Sequence, residues 1–147
     1  MNDQPASITE RNRKLVEGIF AELAQNNPSA FADALADDVR WVTPGSSVWS
    51  RTFAGKRAVL DELLGMVRAQ LVERVRLTVH RILADGDHVV LQAAGRATTK
   101  TGKPYNNDYC FLFRIAGGKI AEVTEYLDTE LASAALQAPW AAAPASA

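Results

Sequence analysis

The 147-residue sequence has one cysteine, Cys110, two histidines, and 16 basic against 17 acidic side chains. A lone thiol closes no internal disulfide, so the fold must rest on packing. A formal net charge of −1 leaves no basic surplus to neutralise a phosphate backbone or an anionic bilayer, so neither nucleic acid nor membrane is an expected partner. No apolar run approaches the roughly 20 residues that span a bilayer. Met1 to Arg11 is polar and lacks the apolar core of a signal peptide, which makes the expected location cytoplasmic. His80 and His88 lack metal-ligand spacing, and Asp85-Gly86-Asp87 is not followed by the acidic residue of a calcium loop, so no metal is expected. Gly117-Gly118 has no helix behind it to complete a phosphate loop, and Ser46 and Ser47 lie outside a Gly-x-Ser-x-Gly context. What is present, 48% hydrophobic and 22% charged residues, suits a core of ordinary size.

The spacing of apolar residues orders the chain. Ser7 and Glu10 have capping-box spacing, and Leu15, Val16, Ile19, Phe20 and Leu23 recur at helical steps behind them, predicting a helix to about Asn26. Asn26-Asn27-Pro28 breaks it, and Ser29 caps a short second helix with Phe31 and Leu35. Val39 to Val42 reads as a strand, followed by a long connection from Thr43 to Gly55. Val59, Leu60, Leu63, Leu64 and Val67 predict a third helix. The period then becomes two, and turns at Asp85-Gly86-Asp87, Lys100 to Lys103 and Ala116 to Lys119 divide four strands of a meander. Asp128 or Thr129 caps a short closing helix with Leu131 and Leu136. The expected organisation is one domain over residues 1–138 and a flexible tail over 139–147.

Ala36-Asp37-Asp38-Val39-Arg40-Trp41, Phe53-Ala54-Gly55-Lys56, Gly102-Lys103-Pro104-Tyr105-Asn106, Gly118-Lys119-Ile120 and Glu125-Tyr126-Leu127-Asp128-Thr129 occur at characteristic places in this order. By these residues the chain resembles the nuclear-transport-factor-2-like superfamily, which includes ketosteroid isomerases, limonene-epoxide hydrolases and SnoaL-like polyketide cyclases. The resemblance implies an α+β, cone-shaped roll: a curved antiparallel sheet packed on three N-terminal helices, with a short C-terminal helix. It also implies a homodimer formed through the outer sheet face.

The resemblance narrows the chemistry by what fails to match. Ketosteroid isomerase-like positions hold Phe20, Thr43 and Cys110 or Phe111, without the acid and base of a steroid proton shuttle. Limonene-epoxide hydrolase-like positions hold Gln92 and Ala94, and only Glu125 is matched. A SnoaL-like cyclase uses one pocket carboxylate, and Glu125 supplies it, with Asp108 and Asp128 as substitutes. Residues two apart share a sheet face. The resemblance then puts Glu125 and Leu127 in a cup with Asn107, Tyr109 and Phe111, with Gln92 and Arg96 on the neighbouring strand. Trp41, Thr43, Trp49 and Phe20 complete the wall.

In the functional reading Glu125 is a general base whose pKa burial raises, while Asn107 and Tyr109 orient or stabilise a ligand oxygen. Gln92 and Arg96 tune the pocket. In the opposing reading Arg96 pairs with Glu125 in a structural network. The arginines Arg68, Arg74, Arg76 and Arg81 read as a solvated outer face paired with Glu73, Asp61 and Glu62. The expected function is a small-molecule pocket protein, an acid/base isomerase, cyclase or hydrolase for an apolar carbonyl or cyclic substrate, with no cofactor. The alternatives are a non-catalytic module for a small apolar ligand and a dimeric structural domain.

Overall fold

The computed structural model describes residues 6–141. Helix α1 (Ile8–Ala24) starts where the capping box places it: the Ser7 hydroxyl accepts from the Glu10 amide at 3.2 Å. It stops at Asn26, whose φ of 61° is left-handed. The Asn27 amide then reaches back to the Glu22 carbonyl at 2.9 Å, satisfying a helix-end acceptor. Helix α2 (Ser29–Ala34) begins on Ser29 itself, after Pro28, and Phe31 points into the core.

Strands β1 (Leu35–Val42), β2 (Thr52–Ala54), β3 (Arg76–Asp85), β4 (His88–Arg96), β5 (Asp108–Ala116) and β6 (Lys119–Leu127) form one sheet in the order β2-β1-β6-β5-β4-β3. The α+β cone-shaped class holds, with an added detail: β1 runs parallel to β6, so the sheet is mixed. That pairing aligns Trp41 with Val123 and Val42 with Thr124, bringing the two ends of the chain's core together. Strand β2 lies inside the expected long connection. Its three residues are too few for an alternation to declare itself.

The third helix has two parts. Ala58–Leu64 is a π-helix, and α3 (Gly65–Ala69) continues it in α-helical form. At the junction the Gly65 amide bonds the Leu60 carbonyl, and a Cβ at Gly65 would sit 2.9 Å from that oxygen. The side-chain-free residue therefore permits the wide turn. Helix α4 (Thr129–Ala135) is capped by the Asp128 carboxylate, which accepts from the Leu131 amide at 3.0 Å.

Helix α1 packs on β3 and β4. Its buried Asn12 donates to the Gly86 carbonyl at 2.9 Å, and Thr9 accepts from the Gly86 amide at 2.8 Å, so two side chains hold the β3–β4 turn. The inner sheet face carries Val89, Leu91, Ala93, Tyr109, Phe111, Phe113 and Val123, all buried. Phe20, Phe31, Trp41 and Phe111 join them in edge-on and tilted ring contacts 6.1–6.4 Å apart. Each such contact adds about 0.5–1.5 kcal/mol to ordinary burial.

Trp140 extends the packed structure past residue 138. Its ring meets Trp49 at 5.1 Å and Phe53 at 5.3 Å, and its indole donates to the Val48 carbonyl at 2.8 Å. Trp140 thus packs on the wall; residues 142–147 of the expected tail lie outside the described residues.

Gly95 marks a close approach on the inner face. A Cβ there would lie 2.7 Å from the Tyr109 ring and 2.8 Å from Val75. Gly95→Ala is expected to destabilise the protein by about 1–3 kcal/mol, the usual cost of overpacking, and to displace the Tyr109 ring. Urea denaturation and the Tyr109 ring resonances check both effects.

Candidate functional site

The cone holds a half-open cavity of about 610 Å³. Its wall is largely apolar: Phe20 from α1, Phe31 from α2, Leu60, Leu63 and Leu64 from the π-helix, and Phe111 and Leu127 from the sheet. Glu125 is the only carboxylate on that wall among the described residues. Strand alternation puts it there, since Glu125 pairs with Phe111 and Leu127 pairs with Tyr109 on the same face.

The Trp41 indole donates to Glu125 Oε1 at 3.2 Å. Burial pushes the Glu125 pKa from its ordinary 4.5 up to about 7, against hydrogen bonds from Trp41 and Thr43 that favour the charged form. Desolvation wins because two neutral donors replace only part of a carboxylate's hydration. No cation pairs with Glu125 among the described residues. A carboxyl near half-ionisation at neutral pH can both take and return a proton.

Trp41, Thr43, Trp49, Phe20, Phe111, Leu127, Tyr109 and Glu125 all line this cavity. Gln92 and Arg96 do not. Leu91 pairs with Phe111 and Ala93 with Tyr109, so Leu91 and Ala93 face inward while Gln92 and Arg96 lie exposed on the outer face. Arg96 is therefore no partner for Glu125, and that structural account of the carboxylate falls. The inward residues are apolar too, so strand β4 still brings no second acid.

Asn107 is fully buried but does not reach the cavity. Its side-chain nitrogen donates to the Asp128 carbonyl at 2.9 Å and its oxygen accepts from the Asp128 amide at 2.9 Å, joining the start of β5 to the end of β6. A long 3.5 Å contact from the same nitrogen supports the Tyr105 hydroxyl. Asn107 is thus a positioning residue rather than a ligand contact.

Tyr105, expected only to pack, lines the cavity together with Tyr109. Burial raises both phenol pKa values, so both hydroxyls keep their protons. The signal for Tyr105 was its parity with Asn107, Tyr109 and Phe111. Arg68 and Arg74 also reach the cavity instead of the solvated face. Arg74 precedes the first strand residue, Arg76, so alternation did not govern its direction. The loop serines keep to structure: the Ser47 hydroxyl accepts from the Trp49 amide at 3.1 Å, and Ser50 donates to the Pro44 carbonyl at 3.1 Å.

A family model for the SnoaL-like domain matches residues 16–123. The chain belongs to this SnoaL-like family. Glu125 lies just beyond the matched segment of the SnoaL-like domain. Among solved structures, Bal32a from a soil-derived mobile gene cassette is 17% identical with a TM-score of 0.77, over 89% of this chain and 100% of that one. A protein assigned as a SnoaL-like polyketide cyclase from Jannaschia sp. CCS1 is 18% identical with a TM-score of 0.73, over 94% and 99%. TerC, co-crystallised with polyporic acid, is 21% identical with a TM-score of 0.70, over 85% and 97%. These identities establish the shared fold. A search among curated proteins returns no significant match.

Two predictions follow from the site's electrostatics. The Glu125 carboxyl carbon should titrate near pH 7 by ¹³C NMR, and Trp41→Phe should move the midpoint higher by removing a donor to the ionised form; a midpoint near 4.5 contradicts the burial. Because the folded-state pKa is raised, its contribution to stability is complete below 4.5 and is lost as pH rises through about 7. Glu125→Gln should flatten that decline.

Asn107→Leu should cost about 1–3 kcal/mol by leaving the Asp128 backbone groups unpaired. Thermal unfolding measures it, and Asn107→Asp should recover the acceptor half of the pair.

Proposed function

We propose that the SnoaL-like domain is an acid/base site for an apolar carbonyl or cyclic substrate, with Glu125 as the general base. The observation that carries this reading is the Glu125 carboxyl inside an apolar cavity with its pKa at about 7. In the step, a C–H proton alpha to a carbonyl passes to Glu125, and the bond's electron pair moves into the carbonyl, leaving an enolate. The Tyr109 and Tyr105 hydroxyls stabilise the enolate oxygen. Return of the proton at another carbon completes an isomerisation; attack of the enolate on a second carbonyl closes a ring. Hydrolysis of an epoxide is less supported, because Leu91 and Ala93 on β4 provide no acid to protonate the epoxide oxygen.

The SnoaL-like cyclase and the polyporic acid complex among the related folds support a ligand cup. A homodimer through the outer sheet face is part of the same proposal. Its support is a cross-strand row of Leu83, Val90, Leu112, Thr124 and Val42 on that face, apolar but for Thr124, in which Leu83 is 58% exposed.

Deuterium exchange at the alpha carbons of β-tetralone, followed by proton NMR, tests the catalytic step. The wild type should accelerate exchange, with a rate that climbs through about pH 7 as the base ionises. Glu125→Gln should lose about 10²- to 10⁴-fold, the range for a general base. Equal rates for the two proteins overturn the catalytic reading, and saturable β-tetralone binding without exchange identifies a non-catalytic binding module.

A further inference from the structure

The charged groups on the cavity wall are not only Glu125. Arg74 lines both this cavity and an adjoining pocket of about 860 Å³, so the residue stands where the two meet. Its Nη1 is shut off from solvent and has no hydrogen-bond partner. A buried guanidinium nitrogen without an acceptor is costly, and such groups are ordinarily paired. No carboxylate forms an ion pair with Arg74 among the described residues: Glu73 turns to Arg76 at 3.5 Å, and Asp61 to Arg57 at 3.7 Å.

A second donor on the same wall is in the same position. Trp49 is buried, and its indole N–H has no acceptor. Arg68, the other arginine on the wall, donates one nitrogen to the Leu71 carbonyl at 3.1 Å. Two side chains of the cavity wall thus carry unanswered donors, one of them cationic.

We propose that Arg74 is an anion-recognition residue and that the SnoaL-like domain binds an apolar organic acid, its anionic oxygens on the Arg74 guanidinium. A guanidinium presents a planar fork of donors that suits carboxylate-type oxygens. This inference rests on the ligand cup of the preceding section and specifies its substrate class; it does not depend on Glu125 acting as a base. An anchored anion would fix which carbon of an apolar body comes to the carboxylate, a selection that apolar walls make poorly.

Two fluorescent probes with the same rings test the idea. Anilinonaphthalenesulfonate carries an anionic group that N-phenylnaphthylamine lacks. The wild type should bind the sulfonate at least about tenfold more tightly, the worth of one charge-assisted hydrogen bond. Arg74→Met, which keeps the apolar stem, should erase that preference while leaving N-phenylnaphthylamine binding in place. Arg74→Lys should retain part of it, and Arg81→Met, at an exposed outer position, should change nothing. A preference unchanged in Arg74→Met, or absent from the wild type, overturns the proposal. If Arg74→Met binds neither probe, Arg74→Gln decides on the same criterion. Wild-type protein that binds neither probe overturns the ligand cup together with the anion site. A wild type that lacks the anion preference but retains β-tetralone exchange removes only the present inference.

Discussion

The carboxyl of Glu125 is kept among aromatic rings with one indole hydrogen bond at 3.2 Å, and the architecture is arranged around that constraint. The group is tolerable there because it can accept a proton at neutral pH, so no full charge need be buried. The parallel β1–β6 pairing is what brings Trp41, 84 positions earlier in the chain, to the carboxyl. The antiparallel β5–β6 pairing sets Phe111 opposite it. A shift of either pairing by one residue would turn a partner to the outer face and leave the carboxyl without its donor or its apolar cover.

The cavity itself depends on small residues as much as on large ones. Gly95 leaves space for the Tyr109 ring, and Gly65 permits the π-helical turn that presents Leu60, Leu63 and Leu64 to the interior. On the other side, Trp140 packs on Trp49 and Phe53, so the C-terminal segment stiffens the same wall that carries an unpartnered indole. An apolar enclosure with a few fixed polar groups favours one orientation of a ligand over many. That links the packing to the chemistry, since proton transfer requires hydrogen-bond distance between the base and one carbon-bound proton.

Much of this was legible in the residues. The stripe Val16, Ile19 and Phe20, the capping by Ser7 and Asp128, and the turns between meander strands are local features. Glu125 stood out through the family resemblance, as the one carboxylate at a matching position. The phase of β4 was misplaced by one residue, which sent Gln92 and Arg96 inward in place of Leu91 and Ala93. Alternation within a strand is local, but its phase against a neighbour depends on the connecting turn and on cross-strand register. On β3 a bulge between Val79 and Arg81 changes the phase within one strand: Leu77 packs inward before it, and Ile82 and Ala84 after it.

By itself the sequence determined the α+β class, the order of helices and strands and the aromatic character of the interior, because each follows from periodicity or from single-residue chemistry. Tertiary structure alone decided that Asn107 binds the Asp128 backbone instead of a ligand, that Tyr105 and Arg74 reach the cavity, and that Trp140 closes its wall. Those outcomes depend on distances between segments far apart in the chain. Only the folded backbone specifies such distances, and neither composition nor spacing encodes which of two faces a side chain at a strand end or in a loop will take.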